Sequence, residues 1–277
     1  MMAKHHYQPW QVWIFFAVTY GFSWLFWIPN ALIAHGVSLP SPLVNLLSGP
    51  FNPAAFGPTV AAFALTWGRD GWRGALSLLR KGIDFHFGWR WLGIILIAPL
   101  IIFSGSIIVA TLISGRSLDR SVMSDPLFAL IAFFVILLTS GPLQEEFGWR
   151  GYALPRLQAR YGDKIASLIV GGAWWLWHAP AVFIPGRFMT NNVLTFGALA
   201  IVIILTSFLF TWVYNHTNGS ILACLLLHTA MNWSIWVVIP SMQIDLVTIG
   251  CMIIALAIVV WLIGRRPARF IPLPVTR

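Results

Sequence analysis

Long apolar stretches follow one another along nearly the whole chain, and they leave lipid as the medium in which it can fold. A helix needs about 20 consecutive, mostly apolar residues to cross a bilayer. Eight candidates are found, roughly at 10–34, 52–67, 91–113, 127–147, 165–184, 194–214, 220–239 and 246–263, the second of them short and rich in Gly and Pro. Of the 277 residues, 58% are hydrophobic and only 9% charged, against about 25% charged in a soluble domain. A soluble core could not absorb this much apolar surface without exposing it. The expected fold class is therefore all-α: a polytopic membrane protein, a single integral membrane domain over residues 1–277 with about eight transmembrane helices. The stretch after Pro9 is too long for a signal-peptide core and lacks a small-residue cleavage site, so it reads as the first span.

The net charge of +9 does not point to nucleic acid, because the basic residues sit in short clusters between apolar stretches instead of on one domain face. Anchoring against anionic headgroups accounts for them better. With eight spans, one side receives Lys4, Arg69, Arg73, Arg80, Lys81, Arg90, Arg150, Arg156, Arg160, Lys164, Arg265, Arg266, Arg269 and Arg277. The other receives Arg116, Arg120 and Arg187, a split of 14 against 3 that accounts for all 17 Lys and Arg. By the positive-inside rule both termini are then cytoplasmic. Trp10, Trp13, Trp89, Trp91 and Trp261 lie near span ends and read as interfacial anchors. Cys224 and Cys251 fall inside apolar spans with neither disulfide nor metal spacing and read as packing residues.

Against this background a few polar residues stand out. The only two glutamates, Glu145 and Glu146, are adjacent, in Gly141-Pro-Leu-Gln-Glu-Glu-Phe-Gly-Trp-Arg150-Gly at the cytoplasmic end of the fourth span. A charge within the bilayer costs on the order of 3 kcal/mol or more, so such residues face a polar interior and serve a function. A structural reading exists for half of the group: Glu146 could pair with Arg150 one turn later at headgroup level. Two like charges side by side are harder to excuse, because they repel, and such tension prepares a carboxylate for general-base work. His178 reads as mid-helix in Trp174-Trp-Leu-Trp-His-Ala-Pro180, about 20 Å from the cytoplasmic start of the fifth span. His228 and Asn232, at i and i+4, share one face of the seventh span. A lone intramembrane His is often only an interhelical hydrogen-bonding group. Here three separate helices place polar groups in the same inner half of the membrane. His5, His6, His35, His86 and His216 read as terminal, loop or span-end residues, and Asp163 and Asp245 as helix N-caps.

Such a set suits peptide hydrolysis, which needs an activated water, a proton for the leaving amine and donors for the oxyanion. A glutamate with a histidine can hold and deprotonate water, and a second histidine with an asparagine amide can donate to the oxyanion. Zinc is the rival, held by Glu145, His178 and His228. The helical pair that would best serve as His-x-x-x-His is instead His228-x-x-x-Asn232, and an amide is a poor zinc ligand, so a metal-free site is favoured. A non-catalytic membrane scaffold or immunity protein is a further reading. A proton-coupled transporter ranks last, since no pair of similar halves is visible.

Glu145-Glu146-x-x-x-Arg150, extended through Gly-Tyr-Ala-Leu-Pro155, closely resembles the first motif of the CPBP family of intramembrane endopeptidases (CAAX proteases and bacteriocin-processing enzymes). Trp174-x-x-x-His178 is similar to the second motif, Phe-x-x-x-His, and His228-x-x-x-Asn232 to the third, in the same order. The resemblance covers residues 127–240 as a catalytic core. It implies an eight-helix fold with a conical intramembrane cavity open to the cytoplasmic side. Glu145 and His178 would activate water, His228 and Asn232 would stabilise the oxyanion, and Glu146 and Arg150 would support the site. Trp174 departs from the family phenylalanine but keeps an aromatic, which implies an altered pocket shape. The implied partners are membrane-associated or lipidated peptides or proteins and the lipid bilayer, with no nucleic acid. The implied setting is a multi-pass protein of a bacterial plasma membrane.

Overall fold

Glycine and proline cut the apolar chain into helices whose ends do not all coincide with its hydropathy. The computed structural model describes residues 10–48, 53–118, 125–186, 188, 190, 192–240 and 244–265. Its helices are α1 (Trp10–Ala34), α2 (Ser41–Ser48), α3 (Gly57–Arg80), α4 (Gly88–Ile113), α5 (Pro126–Thr139), α6 (Pro142–Gly148), α7 (Leu154–Trp177), α8 (Val193–His216), α9 (Ile221–Trp233) and α10 (Leu246–Gly264). No strand occurs among the described residues. Six helical stretches are long and apolar enough to cross a membrane: α1, α4, the run Pro142–Phe183, α8, α9 continued to Val238, and α10. The chain is thus an all-helical, multi-pass membrane protein.

The expected second and fourth spans are the two that differ. The second falls within residues before and along α3, which is not among the six. The fourth, expected at 127–147, ends early. Pro126 starts α5 behind Asp125, whose carboxylate accepts the Phe128 N–H at 2.9 Å, and α5 stops at Thr139. Gly141 then takes φ +110° before Pro142. A residue before proline is disfavoured in the helical region and proline offers no N–H, so one helix cannot run through. Gln144 stitches the break, accepting from the Gly141 N–H at 2.9 Å and donating to the Thr139 carbonyl at 3.0 Å. The chain restarts as α6, passes through a π turn at Trp149–Ala153 into α7, and reverses at Gly162 (φ +74°). Glu145 and Glu146 therefore begin a new helix instead of ending the fourth span.

Polar contacts define the two ends of the bundle. At one end Arg69 donates to Gln11, Gln158 donates to Asn215, and the Lys81 carbonyl accepts the first N–H groups of α9 from Ile221 and Leu222, each at 3.1 Å. This end carries Arg69, Arg73, Arg80, Lys81, Arg90, Arg156, Arg160 and Lys164, and Arg265 follows the end of α10 that reaches it. At the far end Arg116 pairs with Asp245 at 2.8 Å, joining α4 to α10, and Asn30 donates to the Leu47 carbonyl. Among the described residues Arg116 is the one basic side chain there; Lys4, Arg120, Arg187, Arg266, Arg269 and Arg277 lie outside them, as do His5 and His6. Arg150 belongs to neither face, because it is completely buried.

Trp10, Trp13, Trp89 and Trp261 are exposed near helix ends, as interfacial anchors should be, whereas Trp91 turns inward against Trp212 and His216. Asp245 caps α10 by accepting the Thr248 N–H at 2.8 Å. Asp163 instead accepts from the Gln158 side chain across the reversal at Gly162. Cys224 is buried and Cys251 half-buried, in keeping with packing.

Candidate active site

Adjacent residues on a helix point about 100° apart, and this separates the two glutamates. Glu146 turns inward and is 0% exposed. Its carboxylate accepts Arg150 Nη1 at 2.8 and 3.1 Å and meets His228 Nδ1 at 2.7 Å. Arg150 is also held by aromatic faces, its guanidinium 3.8 Å from the Phe210 ring centre and 4.6 Å from that of Trp174. Its Nη2 has no hydrogen-bond partner among the described residues, and the two ring faces give the cation its remaining stabilisation. The Glu146–Arg150 pair is therefore no headgroup-level ion pair. It is a buried brace, and by occupying His228 Nδ1 it turns Nε2 toward the opposite side of the ring.

Glu145 faces the other way. Its Oε2 accepts two indole N–H groups, Trp174 Nε1 at 2.6 Å and Trp149 Nε1 at 3.3 Å. Its Oε1 looks toward Gly141. A methyl group built on Gly141 would lie 2.9 Å from Glu145 Oε1, 3.3 Å from His228 Nε2 and 3.5 Å from Asn232 Nδ2. Three polar atoms from two helices thus converge beside one glycine. Asn232 uses one amide hydrogen on the Ser140 carbonyl at 2.9 Å, which fixes the amide and leaves its second N–H for a ligand.

These groups line a cavity of about 740 Å³. His178 lines it too, but not from mid-helix: α7 ends at Trp177, and His178 caps it where Pro180 stops further α-helix. Its Nδ1 meets the Trp174 carbonyl at 2.8 Å, and Phe188 and Trp177 flank the ring. Trp174 is thus the joint of the site. Its indole N–H serves Glu145, its carbonyl holds His178, and its ring stands edge-on to His228 at 5.4 Å. Beyond the altered pocket shape expected of it, Trp174 supplies an N–H donor that phenylalanine lacks. Trp149, Gly141 and Gln144 join the site without a charge to mark them, and the Gly-Pro pair at 141–142 is the one sequence sign of a break beside the glutamates.

The three residues considered for zinc do not assemble as a ligand set. Among the described residues no three His, Cys, Asp or Glu side chains gather closely enough to hold a metal ion. The ring centres of His178 and His228 lie 6.3 and 5.4 Å from the Trp174 indole.

The cavity runs in one direction. Along α9 its lining starts at His228, about 10 Å from Ile221 at the basic end, and continues to Trp236. Along α8 it takes Leu199, Val202 and Ile203, in the half nearer Val193 and the far end, and Thr206 just past the midpoint. It reaches the loop at Gly186 and Phe188, and Gly186 is exposed. Glu145 and His228 form its floor, and the basic end contributes no lining residue among those described. Helix direction puts this lining in the half of the bundle away from Trp10, where α1 starts, and from Gly264, where α10 ends. His178 lies about 22 Å along α7 from Asp163.

Residues 127–234, which hold every group just described except Trp236, match the family model described as type II CAAX prenyl endopeptidase Rce1-like. This segment is similar to the Rce1-like family. A relative named CAAX prenyl protease 2, from Methanococcus maripaludis, is 31% identical over 109 residues. That alignment covers 38% of this chain and 39% of the relative, so the chain spans about two fifths of the length of the curated relative it matches. The Rce1-like segment runs from α5 through α9 and so contains the break at Gly141, both glutamates, His178, His228 and Asn232.

Proposed function

We propose that this protein is an intramembrane endopeptidase that hydrolyses peptide bonds of membrane-associated or lipidated peptides, with a water activated by Glu145 and His178. The observation that carries the reading is the convergence of Glu145 Oε1, His228 Nε2 and Asn232 Nδ2 around Gly141 at the floor of the cavity. A base and two hydrogen-bonding nitrogens within 3.5 Å of one point are what acyl transfer to water requires.

In this mechanism Glu145 Oε1 takes a proton from water, and the oxygen adds to the scissile carbonyl carbon. His178, whose Nδ1 is tied to the Trp174 carbonyl, offers Nε2 to orient that water. The carbonyl oxygen becomes an oxyanion held by His228 Nε2–H and the second Asn232 N–H. In this role Nε2 of His228 faces the oxyanion while Nδ1 is engaged by the Glu146 carboxylate. Collapse of the intermediate breaks the C–N bond, and the proton on Glu145 passes to the leaving amine. Every step is met by side chains, so we favour a site that works without metal. Trp27, Phe103, Leu199, Val202 and Ile203 line the cavity and suit apolar side chains or a lipid, and the relative's name puts prenylated CAAX tails among the substrates to be tried. The basic end is taken as cytoplasmic, which places both termini there.

The test is cleavage of a set of membrane-tethered and lipidated peptides by purified protein. We expect turnover by wild type and a loss of about 10²-fold to 10⁴-fold in Glu145→Gln, as for removal of a general base. Equal turnover by the two proteins contradicts the assignment. A wild type that cleaves nothing, yet folds as stably as Glu145→Gln, favours the non-catalytic scaffold.

A further inference from the structure

The end of α7 carries Trp174 and His178, and α1, which lies outside the matched residues 127–234, holds it in place. A helix leaves its last carbonyls without intrahelical partners, and in a bilayer they must be satisfied by other protein groups. In α7 the Trp174 carbonyl meets His178 Nδ1, and the Trp175 carbonyl accepts the His178 N–H at 3.1 Å. The Trp177 carbonyl is taken by α1, whose Trp24 Nε1 donates to it at 3.0 Å. One turn earlier, the Tyr20 hydroxyl donates to the Ala173 carbonyl at 2.7 Å. The Trp177 indole returns the contact, donating to Ser23 Oγ at 2.7 Å, and Ser23 donates onward to the Ala54 carbonyl at 2.7 Å.

These contacts are in register with the chemistry. The Ala173 carbonyl belongs to the peptide unit that leads into Trp174, and the Trp177 carbonyl to the one that leads into His178. Tyr20, Ser23, Trp24 and Trp27 stand at i, i+3, i+4 and i+7, so a single face of α1 supplies them. The Tyr20 and Trp24 rings stack with centres 5.3 Å apart, which steadies both donors. Trp27 continues the face, its ring centre 4.6 Å from that of Trp177 and 6.2 Å from that of His178. Nearer its start, α1 packs Phe15 and Phe16 on Trp149, the second indole that donates to Glu145. Interhelical hydrogen bonds within a membrane add little stability one at a time. A displacement of about 1 Å at a reacting group, by contrast, can cost about 10²-fold in rate.

We propose that Tyr20 and Trp24 are positioning residues of the site: by holding the Ala173 and Trp177 carbonyls, they fix where Trp174 and His178 stand relative to Glu145. The effect on turnover rests on the hydrolytic reading above, whereas the hold on the end of α7 does not. Neither side chain touches the reacting atoms. Each acts through the backbone of a residue that carries the chemistry, and α1 thereby completes a site whose polar groups all come from residues 127–234.

The experiment compares full-length wild type, Tyr20→Phe, Trp24→Phe and Asn215→Leu in detergent. The first two variants each remove one donor and keep an aromatic ring. Asn215→Leu removes a buried bond between α7 and α8 at the basic end, received from Gln158 at 2.9 Å, and is the structural control. Two quantities are read: backbone hydrogen exchange over residues 173–183, and kcat and KM on a lipidated peptide. Exchange at the His178 amide is expected to quicken by about 10-fold in Tyr20→Phe and Trp24→Phe and to stay unchanged in Asn215→Leu. In the same two variants kcat should fall by about 10-fold with KM within about two-fold, while the control keeps its kcat. In a His178→Ala background, adding Trp24→Phe should lower kcat no further, because the two act as one unit. Unchanged exchange overturns the proposal, as does a kcat within about two-fold of wild type, or an equal loss in the control or in the His178→Ala background. A wild type that cleaves no peptide counts against the protease, and exchange alone then decides whether α1 holds the end of α7.

Discussion

At the scale of single residues, the site is a division of labour between two neighbouring carboxylates. Glu146 is spent on structure, receiving Arg150 and His228, and Glu145 is left with one oxygen held and one turned to the cavity. Removing one partner of a buried ion pair leaves an uncompensated charge, at a cost of about 3–5 kcal/mol. Arg150→Met is therefore expected to lower the thermal midpoint sharply or to abolish folded yield, which a fluorescence melt in detergent reads. Trp174→Phe is a milder and more informative change. It keeps the ring and loses a hydrogen bond to a charged group, so kcat should fall by about 10-fold while KM stays within about two-fold. An unchanged kcat would return Trp174 to pocket shape alone. The sequence made the charged members of this site legible because charge in lipid is costly. It could not reveal Trp149, because nothing in an apolar run distinguishes an indole that packs from one that donates.

At the scale of elements, the break between α5 and α6 positions the chemistry. Gly141 adopts φ +110°, where a side chain costs on the order of 1–3 kcal/mol, and the methyl of Gly141→Ala would press on Glu145 Oε1. We expect that variant to lose about 10²-fold in rate with a smaller loss of stability, measured by comparing cleavage with the melting curve. The sequence signal for the break, Gly141-Pro142, is outweighed by the apolar window around it, so hydropathy runs the fourth span to residue 147 although the helix stops at Thr139 and a new one begins at Pro142. Farther away, Asp245 ties the start of α10 to Arg116. Burial pulls its carboxyl upward, but the Thr248 N–H and the Arg116 guanidinium outweigh that and hold it below the ordinary carboxylate range. A folded value below the unfolded one contributes stability at neutral pH, which disappears as the pH falls through the folded value. Asp245→Asn keeps a capping side chain and removes the charge. Its thermal midpoint should lie below that of wild type at pH 7, and the gap should close below about pH 4.

At the scale of the whole molecule, hydropathy reports that helices cross but not what they enclose. The all-helical, multi-pass architecture and the three-motif core were readable because each is local: runs of apolar residues, and polar residues spaced along single helices. The direction of the cavity was not, since it emerges only when Trp27, His178, Leu199 and Met252 from four helices are seen to face one void. The central claim is that Glu145 activates the water without help from a metal. It is tested most directly by the initial rate of cleavage of one identified peptide by wild type after exhaustive chelation, beside chelated Glu145→Gln. The account predicts full activity in the first and a loss of at least about 10²-fold in the second. Activity lost on chelation and restored by zinc, or retained in Glu145→Gln, would contradict it.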